Sequence, residues 1–311
     1  MKATTLQIIT IFLTVFTLSV HAQQDSIPKP NSSFKPQIGS FQADYAYSPF
    51  TVKGTKMNIQ QVNTAVMLPV YNHFENGKLD FFLAGVNYNQ LFLSGLGNDF
   101  GGTKFYSVSV PLIFQKSLSA KYALMVSLIP TLSSDMKDVS GDDMLYTAAA
   151  MLKIRTSAKF SYSIGAVYSR QFFGSLLLPI IGIDWNITDK LSLSGSIPVS
   201  EKLKYQLSSK SAFGINTDFG IGGGSYRLSK KMNSDYFQVQ QMKSSLFYEY
   251  SLAKNFTIQA SAGYNFTQRL DLYSKDQKVN WAPFNNLNNR VPLEELKKPG
   301  VTFQSGINYR F

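Results

Sequence analysis

From Ile38 to Phe311, apolar and polar residues alternate with a period of two that hardly stops. Phe256, Ile258, Ala260, Ala262, Tyr264 and Phe266 fall on one face of an extended segment. Thr257, Gln259, Ser261, Gly263, Asn265 and Thr267 fall on the other. The last residues repeat the pattern, with Val301, Phe303, Ile307, Tyr309 and Phe311 against Thr302, Gln304, Asn308 and Arg310. Phe160, Tyr162, Ile164, Ala166 and Tyr168 form a third apolar row, and Ile181, Ile183, Trp185 and Ile187 a fourth. Successive side chains of a strand point to opposite faces, so each stretch predicts a strand with one greasy side.

The pattern predicts fourteen strands, at 38–48, 58–70, 79–92, 104–115, 120–132, 144–156, 159–171, 177–187, 190–198, 201–208, 211–228, 235–251, 255–269 and 299–311. The pair within Lys190–Ser208 contains Pro198 and reads equally as a short hairpin or a loop excursion, which leaves twelve as the alternative. A soluble sandwich alternates too, but three features favour a barrel in a membrane. The strands run about 9–13 residues, enough to cross hydrocarbon at a tilt, where globular strands run about 5–6. Tyrosines mark the strand ends on the apolar face, at Tyr45 and Tyr47, Tyr162 and Tyr168, Tyr248 and Tyr250, Tyr264 and Tyr309. Connections alternate between tight ones such as "ITDK" and "LAKN" and long ones such as "SPFTVKGTK" (48–56) and 270–299. The expected fold is therefore an all-β, antiparallel up-and-down transmembrane barrel. An even strand count puts both termini on the same, periplasmic side.

Composition narrows this further. There is no cysteine, charged residues are 16%, and aromatics are 14%, with 17 Tyr and 24 Phe against 2 Trp. Low charge with abundant tyrosine suits a surface meeting hydrocarbon and its interfaces. The net charge of +11 is scattered over turns and loops. Attraction to anionic lipid headgroups accounts for it, and no nucleic-acid partner is expected. Met1-Lys2, the apolar run Leu6 to Val20 and the small residue Ala22 follow the plan of a secretory signal peptide over 1–22. "PKPNSSFKP" makes 23–37 a polar linker to a barrel spanning 38–311.

The ending "INYRF", with Tyr309 and the terminal Phe311, resembles the C-terminal signal read by the outer-membrane assembly machinery of Gram-negative bacteria. The "QQ" after the cleavage point, the abundant Lys, Asn and Tyr, and the "GGGSYRL" stretch are similar to uncharacterised outer-membrane barrels of Bacteroidota. That resemblance implies the bacterial outer membrane as location, with its lipids and assembly machinery as partners, and implies no activity.

With the apolar set outward, Asp44, Lys153, Arg155, Asp184, Asp218, Lys243, Glu249 and Arg310 point into the lumen. On the lipid face, Lys or Arg at midplane would cost about 2–4 kcal/mol each. Such charges either select small polar solutes in a channel or pair across a narrow interior. Catalytic, cofactor and metal sites are not expected. His21 lies in the signal, and His73 sits in "YNHFENGK" on the periplasmic side. Asp135, Asp138, Asp142 and Asp143 lack EF-hand spacing and read as a hydrated outer loop. Four glycines in Gly220–Leu228 suit a bent barrel strand rather than a phosphate cradle, because no helix follows. The long connection with Trp281, Phe284, Leu287, Leu293 and Leu296 is too apolar to stand in solvent. It is expected to fold over or into the barrel mouth, with a helical turn at 292–298. The expected function is a pore for small polar solutes, partly occluded by that loop. The alternative is a non-conducting barrel that docks surface or secretion components.

Overall fold

The computed structural model describes residues 38–96, 99–219, 224–279, 282 and 289–311. The expected signal peptide and linker, Trp281, Phe284 and Leu287, and most of the 220–224 glycine run lie outside the described residues. The strands are β1 (Ser40–Val52), β2 (Thr55–Glu75), β3 (Lys78–Ser94), β4 (Lys104–Ser109), β5 (Leu112–Ser117), β6 (Tyr122–Ser134), β7 (Met144–Arg155), β8 (Phe160–Gln171) and β9 (Gly174–Asn186). They continue with β10 (Leu191–Ile197), β11 (Ser200–Gln206), β12 (Ser211–Asp218), β13 (Ser225–Arg227), β14 (Tyr236–Ala253), β15 (Phe256–Tyr273), β16 (Glu294–Lys297) and β17 (Gly300–Arg310). β4 and β5 are halves of one strand, since both pair with β3 and with β6. The break falls at Val110-Pro111, where Pro111 has no amide hydrogen to give a ladder.

With β13 and β16 set aside, fourteen antiparallel strands form the wall, and β17 closes on β1 from Tyr47↔Phe303 to Ser40↔Arg310. β10 and β11 both form, joined at Pro198-Val199, so the count is fourteen and not twelve. Closure gives every wall strand a partner on both sides, so no open sheet edge faces the bilayer. It also carries one parity around the ring. Asp44, Asn63, Asn89 and Ser107 stand side by side in the pairing and all point inward.

Three local expectations need correction. Residues 48–56 are not a long loop. β1 runs into β2 through a two-residue turn, Lys53-Gly54, with φ of 48° and 83° at the two positions, the geometry of a tight hairpin. Asn76-Gly77 makes the same turn at the other end, so β2 continues through His73, which lies in the strand beside Glu75. Residues 292–298 are not helical. Glu294–Lys297 form β16, held by ladder bonds to Arg269–Leu272 of β15. Residues 211–228 are not one strand, because β12 stops at Asp218 and β13 lies off the wall.

The outward face is apolar, and it is left uncovered. Leu246 is 65% exposed, and Phe266, Ile164 and Val86 are likewise open. A soluble monomer does not present a belt of this extent. Aromatic rings follow the belt at the short-turn end. Phe160 meets Trp185 at 5.7 Å, Tyr205 meets Phe213 at 5.6 Å, and Tyr309 stacks on Phe311 at 5.9 Å. Tyr45, Tyr146 and the Tyr264–Phe266 pair mark the other end. Phe256 to Phe266 at ~3.3 Å per residue and a tilt of ~40° spans ~25 Å, the height of a lipid-facing band.

The wall strands do not all stay in the wall. Between Met242 and Lys243 the β14–β15 register slips by one residue. A bulge of this kind bends the strand. Below it, β14 alternates open and covered, with Leu246 and Tyr248 exposed and Ser245 and Phe247 buried. Above it, all five residues from Tyr236 to Gln240 are buried. This outer hairpin therefore has protein on both faces. β13 adds to its edge and also touches β6 at Arg227↔Ser134, while β16 adds to the other edge. β6 and β14 are seven places apart in a ring of fourteen, which makes them opposite walls. The four strands form a partition across the mouth.

Replacing Leu246 with Arg is expected to lower stability in liposomes by about 2–4 kcal/mol, the cost of a midplane cation on the lipid face. Ser245→Arg, one residue inward, is expected to cost less. Equal losses in denaturant titrations would contradict the assignment of faces.

Candidate functional site

The partition has an apolar core on each face. Toward β1–β4, Phe237 and Val239 of β14 and Leu270 and Leu272 of β15 meet Phe50, Ile59, Leu91 and Phe105. Phe105 stacks on Phe237 at 4.4 Å, and Tyr226 of β13 lies 5.4 Å from Phe105. Complete burial pushes the Tyr226 hydroxyl well above its ordinary value, so it remains a neutral donor and donates to Asn89 Oδ1 at 2.9 Å. Full burial of side chains this size contributes about 1.5–3 kcal/mol each.

Toward β6–β9, Tyr236 and Tyr273 pack with Val167, Phe173, Leu176, Leu178 and Ile180. The connection after β15 completes this side. β9 extends beyond its short neighbour β10, which pairs only as far as Ile181. Val279 and Ala282 cover the bare edge, through Val279 N–H to Phe173 O at 2.7 Å, Ala282 N–H to Ser175 O at 3.0 Å and Leu177 N–H to Ala282 O at 2.8 Å. Arg290 reaches into the same compartment and is buried.

The β6 end of the partition is held by charge. Arg227 Nη1 donates to Asp143 Oδ1 at 2.6 Å, with the two side chains 5% and 0% exposed, and lies 3.5 Å from Asp138 Oδ1. Asp138 also accepts the Lys230 amide at 2.7 Å, and Asp135 accepts the Lys137 amide at 3.2 Å. Three of the four loop acids thus have structural work here. No cluster of three or more metal-binding side chains occurs among the described residues.

Below the partition the lumen is mixed: Met67, Phe81, Leu83 and Ile113 form a buried apolar cluster inside β2, β3 and β5, and the charged side chains elsewhere are partly open. Lys153 and Asp184 stand 3.6 Å apart, each 25% exposed. Glu249 is gripped by Lys202 and by Lys204 at 2.7 Å, and Lys202 also donates to Gln259 at 3.2 Å. Gly214 lets the Phe247 ring lie against the wall, since a Cβ there would run into Leu203 O and come within 2.8 Å of that ring. Lys202 Nζ sits 4.3 Å from the ring centre. Asp44 accepts from Gln42 at 2.5 Å. Asp218 and Lys243 are direct cross-strand neighbours, and Arg310 sits opposite Ser40. Arg155 reaches the short-turn rim, with its Nη1 donating to Gly77 O at 3.4 Å. The register puts all eight expected residues on the inward face. It brings Lys153 to Asp184 and Asp218 to Lys243, and it leaves Arg155 and Arg310 at the rim.

Sequence reasoning missed Lys202 and Lys204, which flank outward Leu203 in period two. The signal was present in "KLK", but the segment was the least secure of the strands. It also missed Arg227, Arg269, Asp271 and Arg290. These lie on the partition or its loop, where no periodicity marks them.

A family model described as a domain of unknown function, DUF6268, matches residues 29–310. No curated protein matches. Among solved structures, an outer-membrane channel from Pseudomonas putida F1 aligns at 7% identity, covering 92% of this chain and 100% of that one, with a TM-score of 0.42. The TodX monoaromatic hydrocarbon channel aligns at 10% identity over 89% and 91%, with a TM-score of 0.37. The NanC porin aligns at 10% over 88% and 100%, with a TM-score of 0.35. Likeness at this level carries no functional inference.

Asp143→Ala is expected to strand the buried Arg227 charge, at a cost of about 3–5 kcal/mol, and to speed tryptic cleavage at Lys230 and Lys231. Adding Arg227→Met is expected to recover most of the loss. A single variant as protected as the parent would remove Arg227 as the anchor of the partition.

Proposed function

This chain belongs to the DUF6268 family, whose description names no activity, and we propose that it is a bacterial outer-membrane barrel holding a polar chamber, open toward the periplasm and closed on the outside by its own strands. The observation that carries this reading is the burial of both faces of β14 above its bulge, against the partly open charges beneath it. The short-turn end, where both chain ends of the barrel meet, faces the periplasm. Tyr309 and Phe311 lie outward there and present the assembly signal. The partners are outer-membrane lipids and the assembly machinery.

The chamber suits small polar solutes. Six inward bases, Lys153, Arg155, Lys202, Lys204, Lys243 and Arg310, face four inward acids, Asp44, Asp184, Asp218 and Glu249. Most of these charges have a partner close by, so the field is local and weakly favours anions. No catalytic constellation is proposed. His73 is exposed at the periplasmic end with Glu75 as its neighbour. A second reading, the non-conducting docking barrel, is favoured by the same tight packing of the mouth.

Planar-bilayer recording separates the two. The intact protein is expected to be mostly silent. A variant with 275–290 replaced by a short Gly-Ser linker, and with Asp143→Ala to release the β6 end of the partition, is expected to conduct in steps. Steady current from the intact protein would contradict the closed mouth. Silence from a correctly folded variant would favour docking. In the conducting variant, Lys153→Glu with Arg155→Glu is expected to shift selectivity toward cations. Unchanged selectivity would take these residues off the solute path.

A further inference from the structure

Arg290 belongs to a connection rather than to a strand, yet it is one of the most thoroughly enclosed cations among the described residues. Its guanidinium carbon lies 4.3 Å from the centre of the Tyr273 ring and 5.0 Å from that of Phe173. Its Nη1 donates to the Tyr236 hydroxyl at 3.1 Å and to Gln238 Oε1 at 2.9 Å. Two aromatic faces for a delocalised cation and two acceptors for its N–H groups are what a binding site for a free guanidinium requires. Asp271 lies on the same face of β15 as Tyr273 and accepts that hydroxyl at 3.1 Å, which fixes the ring, while Arg269, 2.7 Å from Asp271, balances the carboxylate. Gln238 gives its oxygen to Arg290 although its own Nε2 is buried with no hydrogen-bond partner. The amide is thus oriented for the cation at the expense of its other end.

We propose that Phe173, Tyr236, Gln238 and Tyr273 form a guanidinium site that Arg290 fills as an internal ligand, latching the outer connection over the bare edge of β9. The four site residues come from β14, β15 and the β8–β9 turn, so an occupied site ties the partition to the wall. Val279 and Ala282, whose amides bond to the β8–β9 turn and β9, lie on the tied connection. A small planar guanidinium compound takes the site once Arg290 is removed. An ammonium ion does not, because it presents no flat face to the two rings.

The test is hydrogen exchange on full-length protein in detergent, read on peptides covering 174–179 and 274–282. Arg290→Ala is expected to speed exchange at Leu177, Val279 and Ala282 by about tenfold or more, the scale of one lost desolvated cation–aromatic contact. Millimolar methylguanidinium is expected to restore protection, and methylammonium is not. Arg290→Lys is expected to remain fast. Exchange as slow as in the parent would overturn the latch. Fast exchange that methylguanidinium fails to slow, or that methylammonium slows equally, would overturn the site. The readout involves no conduction, so it can fail while the channel reading stands, and the reverse.

Discussion

A backbone in hydrocarbon has no water to bond, so a sheet that crosses a membrane must close. Every other feature of this protein follows from that closure. It requires β17 to find β1, and it makes the inward parity of one strand the inward parity of all fourteen. The apolar rows then meet lipid, and Asp44, Lys153, Glu249 and their neighbours meet each other. A register slip of one residue in any pair would drive these charges into the bilayer.

Closure also creates a difficulty. An eight-stranded barrel is narrow enough for its own side chains to fill, and a ring of fourteen is not. Here the outer half is filled by strands that leave the wall. The β14–β15 hairpin bends inward at its bulge, takes β13 on one edge and β16 on the other, and meets β6 on the far side. Each resulting compartment is small enough to pack with Leu, Ile, Phe and Tyr. The short-turn half has no such insert among the described residues, and its inward groups are paired charges together with the apolar cluster of Met67, Phe81, Leu83 and Ile113.

The period-two pattern was sufficient to read the wall. It placed Lys153, Asp184 and Glu249 inward because one face of each strand had to be apolar. It could not read the partition. Tyr236, Phe237, Gln238 and Val239 look like any strand, and burial on both faces comes from walls far away in sequence. The Lys53-Gly54 turn was missed because its first residue is not the Asn or Asp that usually marks such a hairpin. Arg290 had no legible role, since its partners come from three separate segments.

The chain has no cysteine, so single cysteines can be introduced and spin-labelled one at a time along β14 from Tyr236 to Ser251. Oxygen dissolved in lipid should reach labels at 244, 246, 248 and 250 and not those at 245, 247 and 249. From 236 to 240 it should reach none of them. Oxygen access that keeps alternating through Tyr236 would return that hairpin to the wall and leave the mouth without its partition.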